Sequence, residues 1–561
     1  MTDQTMKPYP DQQVAIDKFR DVKACLCGDS MGVGKTVTGI GRDFQMRVDF
    51  PHLANSPCLI ISEKIGLDVW DYHLKAMGVP KEQILLINPT DRSEFEQELL
   101  ALQAFQADAP RGATRGANKA KRPQYRYYVV HWDVIKNEDV PVNEKTVSGK
   151  PKIMWGHVIA DEVHLAKNRK ALRTIELKRI ASEFKTGLSG TPADDKPWDI
   201  WSILHWLYPR KYSSYWRFYE NHVLYISASE VERYKKWVKR GGNYESYRAK
   251  YPKAGAGYRV PIDVKNIPEL HRQMQPFYIR RTLLEVAPNM PEKIHVDPPI
   301  VVPMGRKQRK EYEQMRDKAI ALIGAHAESG GGFQLLAPAV IAVLTRLQQM
   351  SLASLVPEWD ISLDDYVDDE DDMGWDMPKI VLAKPSPKLD AVMNLITTHE
   401  EEPFVVFTQF RGMADLVEEE CRRLKIPVVK IHGGITNKDV RTRLVKEFQD
   451  GQARVFVGTI AAAGKTITLT RANHVIFTDL SWNPSKNAQA EDRLWRRTQR
   501  NTVRIYQIQS EDSIDQVRLE RITQKANMID ALLNPKAEAE RPMTLREMAN
   551  HDVVAMFLNG V

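Results

Sequence analysis

The amino-acid sequence predicts an α/β protein, with two parallel-sheet domains and helical insertions between them. Three observations carry that expectation. Up to about residue 200, short β-rich runs (PCLIIS, YRYYVVHW, HVIADE) alternate with polar or helical stretches, the pattern of parallel strands joined by crossover helices. Between about residues 200 and 385 the period changes, and Ile200, Ile203, Leu204 and Leu207 fall at the i, i+3, i+4, i+7 spacing of one helix face. The alternation then returns in FVVFTQF, VVKIHGG, ARVFVGT, HVIFTDL and VRIYQI. The implied organisation is a first α/β domain at 1–200, helical insertions at 201–300 and 301–385, a second α/β domain at 386–530 and a helical tail at 531–561.

In CLCGDSMGVGKTVTGI, residues 25 to 40, an apolar strand-like run leads into a glycine-rich turn and a helix-like stretch. A cup of backbone N–H groups around phosphates needs residues free to adopt positive φ, and Gly32 and Gly34 supply them. Lys35 would reach the phosphates and the Thr36 hydroxyl would ligate Mg²⁺. The usual spacing of such a loop asks for another glycine where Asp29 stands.

In HVIADEVHLAKN, Asp161 and Glu162 follow an apolar run, where a strand end presents them to a ligand. Asp161 could hold Mg²⁺ through a water and Glu162 could polarise an attacking water. Ser189, Gly190 and Thr191 place two hydroxyls around a glycine at the next strand end, able to hydrogen-bond the acidic pair. If 488 to 499 is helical, Gln489, Arg493 and Arg496 share one face, and the two guanidiniums suit the arginine-finger role toward a γ-phosphate.

Several segments carry charge without an evident chemistry. Residues 111–126 hold six basic residues and no acid, 364–376 are strongly acidic, and both read as exposed loops. VERYKKWVKRGGNYESYRAKYPK interleaves basic residues with Tyr and Trp, a pattern shared by nucleic-acid contacts and by exposed amphipathic helix pairs. Thr544 and Glu547 resemble a capping box for a last helix.

The totals bound the class. A chain of 561 residues, 43% hydrophobic and 27% charged, is globular and long enough for several cores. Its net charge of +7 tolerates a polyanionic partner without demanding one. Cys25, Cys27, Cys58 and Cys421 form neither a C-x-x-C pair nor a zinc-spaced set with histidine, which argues against metal or disulfide frameworks and for a reducing compartment. No apolar run nears the ~20 residues of a membrane helix, and MTDQTMKPYPDQQ lacks a signal-peptide core. The expected location is cytoplasmic, in a nucleoid or a phage-infected host, with no secretion signal and no membrane partner.

Taken in order, these motifs resemble those of helicase superfamily 2, specifically the Swi/Snf-type ATPases that translocate on duplex DNA. DSMGVGKT resembles that family's DEMGLGKT, which also begins with Asp. PYPDQQVAIDKF resembles the adenine-reading segment, placing Gln12 on the base; FYIRRTLLEVAPNMPEK resembles the arginine-containing brace; SPKLDAVMNLI, WNP and QAEDRLWRRTQ complete the set. The resemblance implies RecA-like domains, ATP and Mg²⁺, and double-stranded DNA as partner, with protein–DNA complexes as a further candidate and a monomer as the candidate state. It implies DNA contacts at Lys64, Trp70, Gln409 and Thr459, and coupling roles for Ser189, Thr191 and Gln489. GTIAAAGKTITLTRANHVIF and QAEDR are similar to the annealing-helicase branch and to compact bacterial or bacteriophage relatives. Val163, Thr466 and Thr498 depart from the family pattern, the threonines standing where glycine is usual. A strand-separating helicase, an RNA-directed enzyme and a non-enzymatic DNA-binding scaffold stay open as alternatives.

Overall fold

The computed structural model describes residues 5–533 except 65, 89, 109–124, 137–152, 194–195, 254, 256–258, 329–336, 358–379, 436 and 464–466. The acidic segment 364–376, nearly all of the basic segment 111–126, Thr466 and the Thr544–Glu547 box lie outside them. The chain divides into two compact units. The first holds the described residues of 1–223 and 264–288 with the end of the last helix from Ile529, and the second holds those of 224–263 and 289–528.

The first unit is built on β1 (Ala24–Cys27), β2 (Cys58–Ser62), β3 (Ile84–Ile87), β4 (Tyr127–His131), β5 (Trp155–Asp161) and β6 (Ser182–Leu188). Next in the chain, β7 (Val223–Ser227) and β8 (Arg259–Val264) form a separate two-stranded sheet, after which β9 (Tyr278–Ile279) returns to the first. The order is β3-β4-β2-β5-β6-β1-β9, and all the pairings are parallel. Strands β1 and β2 are buried at every position, as expected when helices cover both faces of a parallel sheet. The sequence pattern at 200–207 is a helix, Ile200–Leu207, but Trp201, Ser202 and Trp206 are buried alongside the periodic residues, so it is enclosed on nearly all sides.

Register decides what the sheet can do. Cys27 pairs with Leu188 and with Ile279, and Leu188 pairs with Asp161. The loops leaving β1, β6 and β9 and the end of β5 therefore share one carboxyl edge, where open α/β sheets bind ligands.

The second unit continues with β10 (Lys293–His295), β11 (Ile300–Val302), β12 (Ser354–Pro357), β13 (Ile380–Ala383), β14 (Phe404–Thr408), β15 (Val428–Ile431), β16 (Val455–Thr459), β17 (His474–Phe477) and β18 (Val503–Ser510). Its main sheet runs β10-β18-β17-β14-β16-β15, with β11 also on β18, while β12 and β13 pair antiparallel. Phe404, Val406, Val455, Val457 and Ile476 join Leu389, Val392, Met413 and Val417 in one core. Both sheets are parallel with covering helices, the α/β class that the alternating pattern predicts.

Behind the first unit's carboxyl edge lies a buried polar network. The Asp43 carboxylate accepts from Arg47 Nε at 2.7 Å, the Tyr127 hydroxyl at 2.7 Å and His157 Nδ1 at 3.1 Å. His157 Nε2 faces the Thr186 hydroxyl at 2.6 Å, which assigns the proton of the neutral ring to Nδ1. Arg42 also reaches Thr186 and donates to the carbonyls of Lys185 and Val22. Burial pushes the His157 pKa down to about 4: desolvation of the charged ring, helped to a smaller extent by Arg42 and Arg47, outweighs the pull of Asp43.

An unfolded histidine titrates near 6.5. Between that value and about 4 the unfolded chain binds the extra proton, so this group's contribution is complete above the window and is lost as pH falls through it. Stability, read as the unfolding temperature, is expected to drop between pH 7 and pH 5, this group costing up to about 1.4 kcal/mol per pH unit. In scanning calorimetry, His157→Gln should start lower at pH 7 and fall less steeply; equal slopes in the two proteins would remove His157 from this account.

Candidate nucleotide site

The loop after β1 has the backbone that a phosphate cup needs. Gly32 and Gly34 take φ of 79° and 95°, and Gly34 is the N-cap of the helix Lys35–Asp49. A side chain at Gly34 would be strained by that φ and would also meet Gln12 Nε2 at 2.2 Å. Lys35 Nζ donates to the carbonyls of Asp29 at 2.9 Å and Ser30 at 3.2 Å, and a Cβ at Gly190 would lie 3.4 Å from it. The lysine thus sits between its own loop and the turn after β6. Thr36 is the second residue of the helix, at the N-terminal end that favours anions.

Gln12, expected on the base, is buried and braces the loop. Its Oε1 accepts from the Tyr9 N–H at 2.8 Å and its Nε2 donates to the Val33 carbonyl at 3.0 Å.

The residue that replaces a glycine is explained by its partner. Asp29 is fully buried, and its carboxylate accepts from the Arg281 main-chain N–H at 2.9 Å, from Nε at 3.2 Å and from Nη2 at 2.5 Å. Arg281 follows β9, and its Nη1 also donates to the Asp11 carbonyl. The sequence flags Asp29 as an anomaly and 277–293 as a brace. It does not say that one answers the other, although a buried aspartate demands a cation.

Asp161 closes β5 and Glu162 turns the chain with a left-handed φ of 47°. Asp161 Oδ2 accepts from Ser62 Oγ at 3.0 Å and Trp70 Nε1 at 2.9 Å, while the Glu162 N–H donates to Oδ1 at 3.0 Å. Desolvation and the Glu162 charge raise the Asp161 pKa against those donors and Lys35. His164 Nδ1 lies 3.2 Å from Glu162 Oε2 and 3.0 Å from Ser189 Oγ, and Ser189 Oγ accepts from the Thr191 N–H at 3.2 Å. The expected link between the acidic pair and the Ser-Gly-Thr turn therefore runs through His164, which the sequence reading left without a role. Val163 is buried without a positive φ.

Two expected DNA contacts are corrected. Trp70 is 0% exposed and its indole is committed to Asp161, so it positions the acid and has no surface to offer a strand. Thr459, at the end of β16, is 1% exposed and is likewise enclosed. Lys64 is exposed. Gln409 is half-buried, with its Nε2 donating to Asp479 at 3.1 Å and to the Leu480 carbonyl at 2.7 Å.

The arginine segment is also corrected. The helix Pro484–Glu491 ends before it, and Arg493 and Arg496 follow in successive turns. Side-chain anchoring replaces helical periodicity there. Lys293 Nζ holds Glu491 at 3.1 Å and Asp492 at 3.4 Å, Trp495 Nε1 donates to the Pro291 carbonyl at 2.8 Å, and Gln499 Nε2 donates to the Ala472 carbonyl at 2.9 Å. Gln489 stays on the helix, half-buried. Arg496 donates to the Asp492 carbonyl at 3.0 Å and to Thr468, and burial with the adjacent Arg493 pushes its pKa down to about 9. Thr498 has no positive φ, so a β-branched residue is accommodated there.

The family model for the SNF2-related domain matches residues 13–352, and that for the helicase conserved C-terminal domain matches residues 387–498. The chain belongs to the SNF2-related family. Among curated relatives, the ISWI chromatin-remodeling complex ATPase ISW1 of Saccharomyces cerevisiae is 22% identical, over 99% of this chain and 44% of its own length. The DNA annealing helicase and endonuclease ZRANB3 of Homo sapiens is 24% identical, over 92% of this chain and 39% of its own. The SNF2-related chain thus spans less than half the length of these relatives. The Sulfolobus solfataricus SWI2/SNF2 ATPase core in complex with dsDNA is 20% identical with a TM-score of 0.37, covering 95% of this chain and 99% of that one.

The Asp29–Arg281 pair can be tested directly. Arg281→Met leaves a buried carboxylate without its cation, a loss of about 3–5 kcal/mol in such pairs. It should lower the unfolding temperature and weaken binding of a fluorescent ATP analogue at least tenfold. Arg281→Lys keeps the charge without the fork and should recover only part of both. Unaltered nucleotide affinity in Arg281→Met would show that the pair does not shape the loop.

Proposed function

We propose that the protein is a DNA-dependent ATPase that couples ATP hydrolysis to movement along double-stranded DNA, of the remodelling or reannealing type. The observation that carries this reading is the shared carboxyl edge of the first sheet, where the glycine loop, the Asp161–Glu162 pair and the Ser189–Thr191 turn meet in a SNF2-related chain.

In this reading the N–H groups between Gly32 and Thr36 and the Lys35 ammonium bind the β- and γ-phosphates, a fit supported by the two left-handed glycines and by a lysine already held at the loop. Thr36 and Asp161 would hold Mg²⁺, which when bound neutralises phosphate charge. Glu162 accepts the proton of the attacking water, with His164 orienting its carboxylate. Gln12 keeps the loop in its bound shape. Arg493 and Arg496 are assigned to the charge that develops on the γ-phosphate, and Gln489, Ser189 and Thr191 to coupling. Lys64 and Gln409 are assigned to the DNA backbone, giving sequence-independent, salt-sensitive grip.

Duplex DNA should stimulate ATP hydrolysis in low salt and the protein should displace a triplex-forming strand; a flat rate with added duplex would overturn the reading. Lys35→Ala should lose nucleotide binding and turnover together. Glu162→Gln should lose turnover by about 10²-fold or more, the scale of a general base, while still binding nucleotide. Separation of the strands of a fork would assign the chain to strand-separating helicases instead.

A further inference from the structure

The stretch that interleaves basic and aromatic residues is a built module. Helices Val231–Lys239 and Tyr244–Lys250 pack with the β7–β8 sheet around Ile226, Tyr234, Tyr247, Val260 and Ile262. The turn between the helices needs its glycines. Gly241 has a φ of 82°, and a Cβ on Gly242 would meet Trp237 Nε1 at 2.1 Å.

Its cations fall into two sets. Arg248, half-buried, and Arg233, exposed, both pair with Glu230, which is 0% exposed and also accepts from the Ser227 N–H at 2.9 Å. Arg233 lies 4.4 Å over the Tyr251 ring. Lys236, Arg240 and Lys253 are exposed and their side chains make no hydrogen bond or ion pair among the described residues, and Lys250 is exposed with its ammonium 4.9 Å over the Trp237 ring. Residues 231–253 contain eight basic and two acidic side chains, a net +6, equal to that of residues 111–126, in a chain whose total is +7. Pairing with Glu230 accounts for Arg233 and Arg248, and the Trp237 ring for Lys250, while no such contact engages the side chains of Lys236, Arg240 and Lys253 among the described residues.

We propose that this hairpin is an accessory binding site for the phosphodiester backbone of duplex DNA, with Lys236, Arg240, Lys250 and Lys253 as its phosphate contacts. The inference rests on the reading of the chain as a motor on DNA and adds a site outside the ATPase motifs. The Trp237 ring holds the Lys250 ammonium in place, which lowers the ordering cost of its phosphate contact, and the packed helices fix the backbone positions from which Lys236 and Arg240 reach out.

The test uses the full chain carrying Lys236→Gln, Arg240→Gln, Lys250→Gln and Lys253→Gln together, with binding of a fluorescent 40-bp duplex read by anisotropy between about 50 and 200 mM salt. Four lost contacts should make the slope of log K against log salt shallower by about 3 to 4 and weaken low-salt binding at least tenfold. DNA-free ATPase activity, fluorescent ATP-analogue binding and unfolding temperature should stay unchanged. A triple variant that keeps Lys250 on Trp237 guards against loss of the fold and should make the slope shallower by about 2 to 3. A salt slope identical to that of the unaltered protein in both variants would overturn the proposal. Lack of duplex-stimulated hydrolysis in the unaltered protein, with the slope difference present, would overturn the motor and leave this site standing.

Discussion

The ion pair between Asp29 and Arg281 is the constraint on which the first unit depends. It joins a residue of the glycine loop to one that is 252 positions later in the chain. Two side-chain bonds and a main-chain N–H converge on one buried carboxylate, so neither partner can be moved alone without exposing an unmatched charge to a dry interior. Strand β9 is only two residues long and would be a weak edge on backbone bonds alone. It is fixed further by Tyr278, whose hydroxyl donates to the Leu533 carbonyl at 3.0 Å, and by Arg280, which pairs with Asp530 at 2.9 Å. Residues 224–263, which belong to the second unit, are inserted in the chain between β6 and β9 of this sheet.

Much of this was legible in the sequence, because the signals are local. Continuous apolar runs announce parallel strands buried on both faces, and glycines near a Lys-Thr pair announce a loop at a helix N-terminus. The placement of Asp161 and Ser189 followed from one rule, that ligands gather at the carboxyl ends of strands, and the register β1-β6-β5 brings them level.

What escaped was the choice of partner. A tryptophan in a helix looks the same in sequence whether its indole faces solvent or a carboxylate, and only the packing of Gly66–Ala76 against β2 and β5 sends Trp70 to Asp161. The spacing of Gln489, Arg493 and Arg496 fits a helix face, yet a lysine some 200 residues earlier captures Glu491 and Asp492 at the helix end and the chain proceeds in turns. Periodicity counts residues along the chain and is blind to such distant anchors. The same limit hid His164, whose neighbours are fixed only when β5 and β6 are side by side.

The electrostatics explain why these positions tolerate their own repulsion. Asp161 and Glu162 are adjacent acids, and the first is pushed above its ordinary pKa by desolvation and by the second. Arg493 and Arg496 are neighbouring bases, and Arg496 is pushed down to about 9 by burial and by Arg493. A protein selected for stability alone would separate or neutralise such pairs, as it has done with Glu230 and its two arginines. Each unit instead keeps two like charges side by side, held by neutral groups and by an incomplete countercharge: Ser62, Trp70 and Lys35 near the acids, Thr468 and Asp492 near the bases. Neutral braces fix position, and the raised pKa of Asp161 and the lowered pKa of Arg496 show that burial and the like charge outweigh the countercharge nearby. Groups held in this way need little reorganisation when charge changes beside them, in either unit taken by itself.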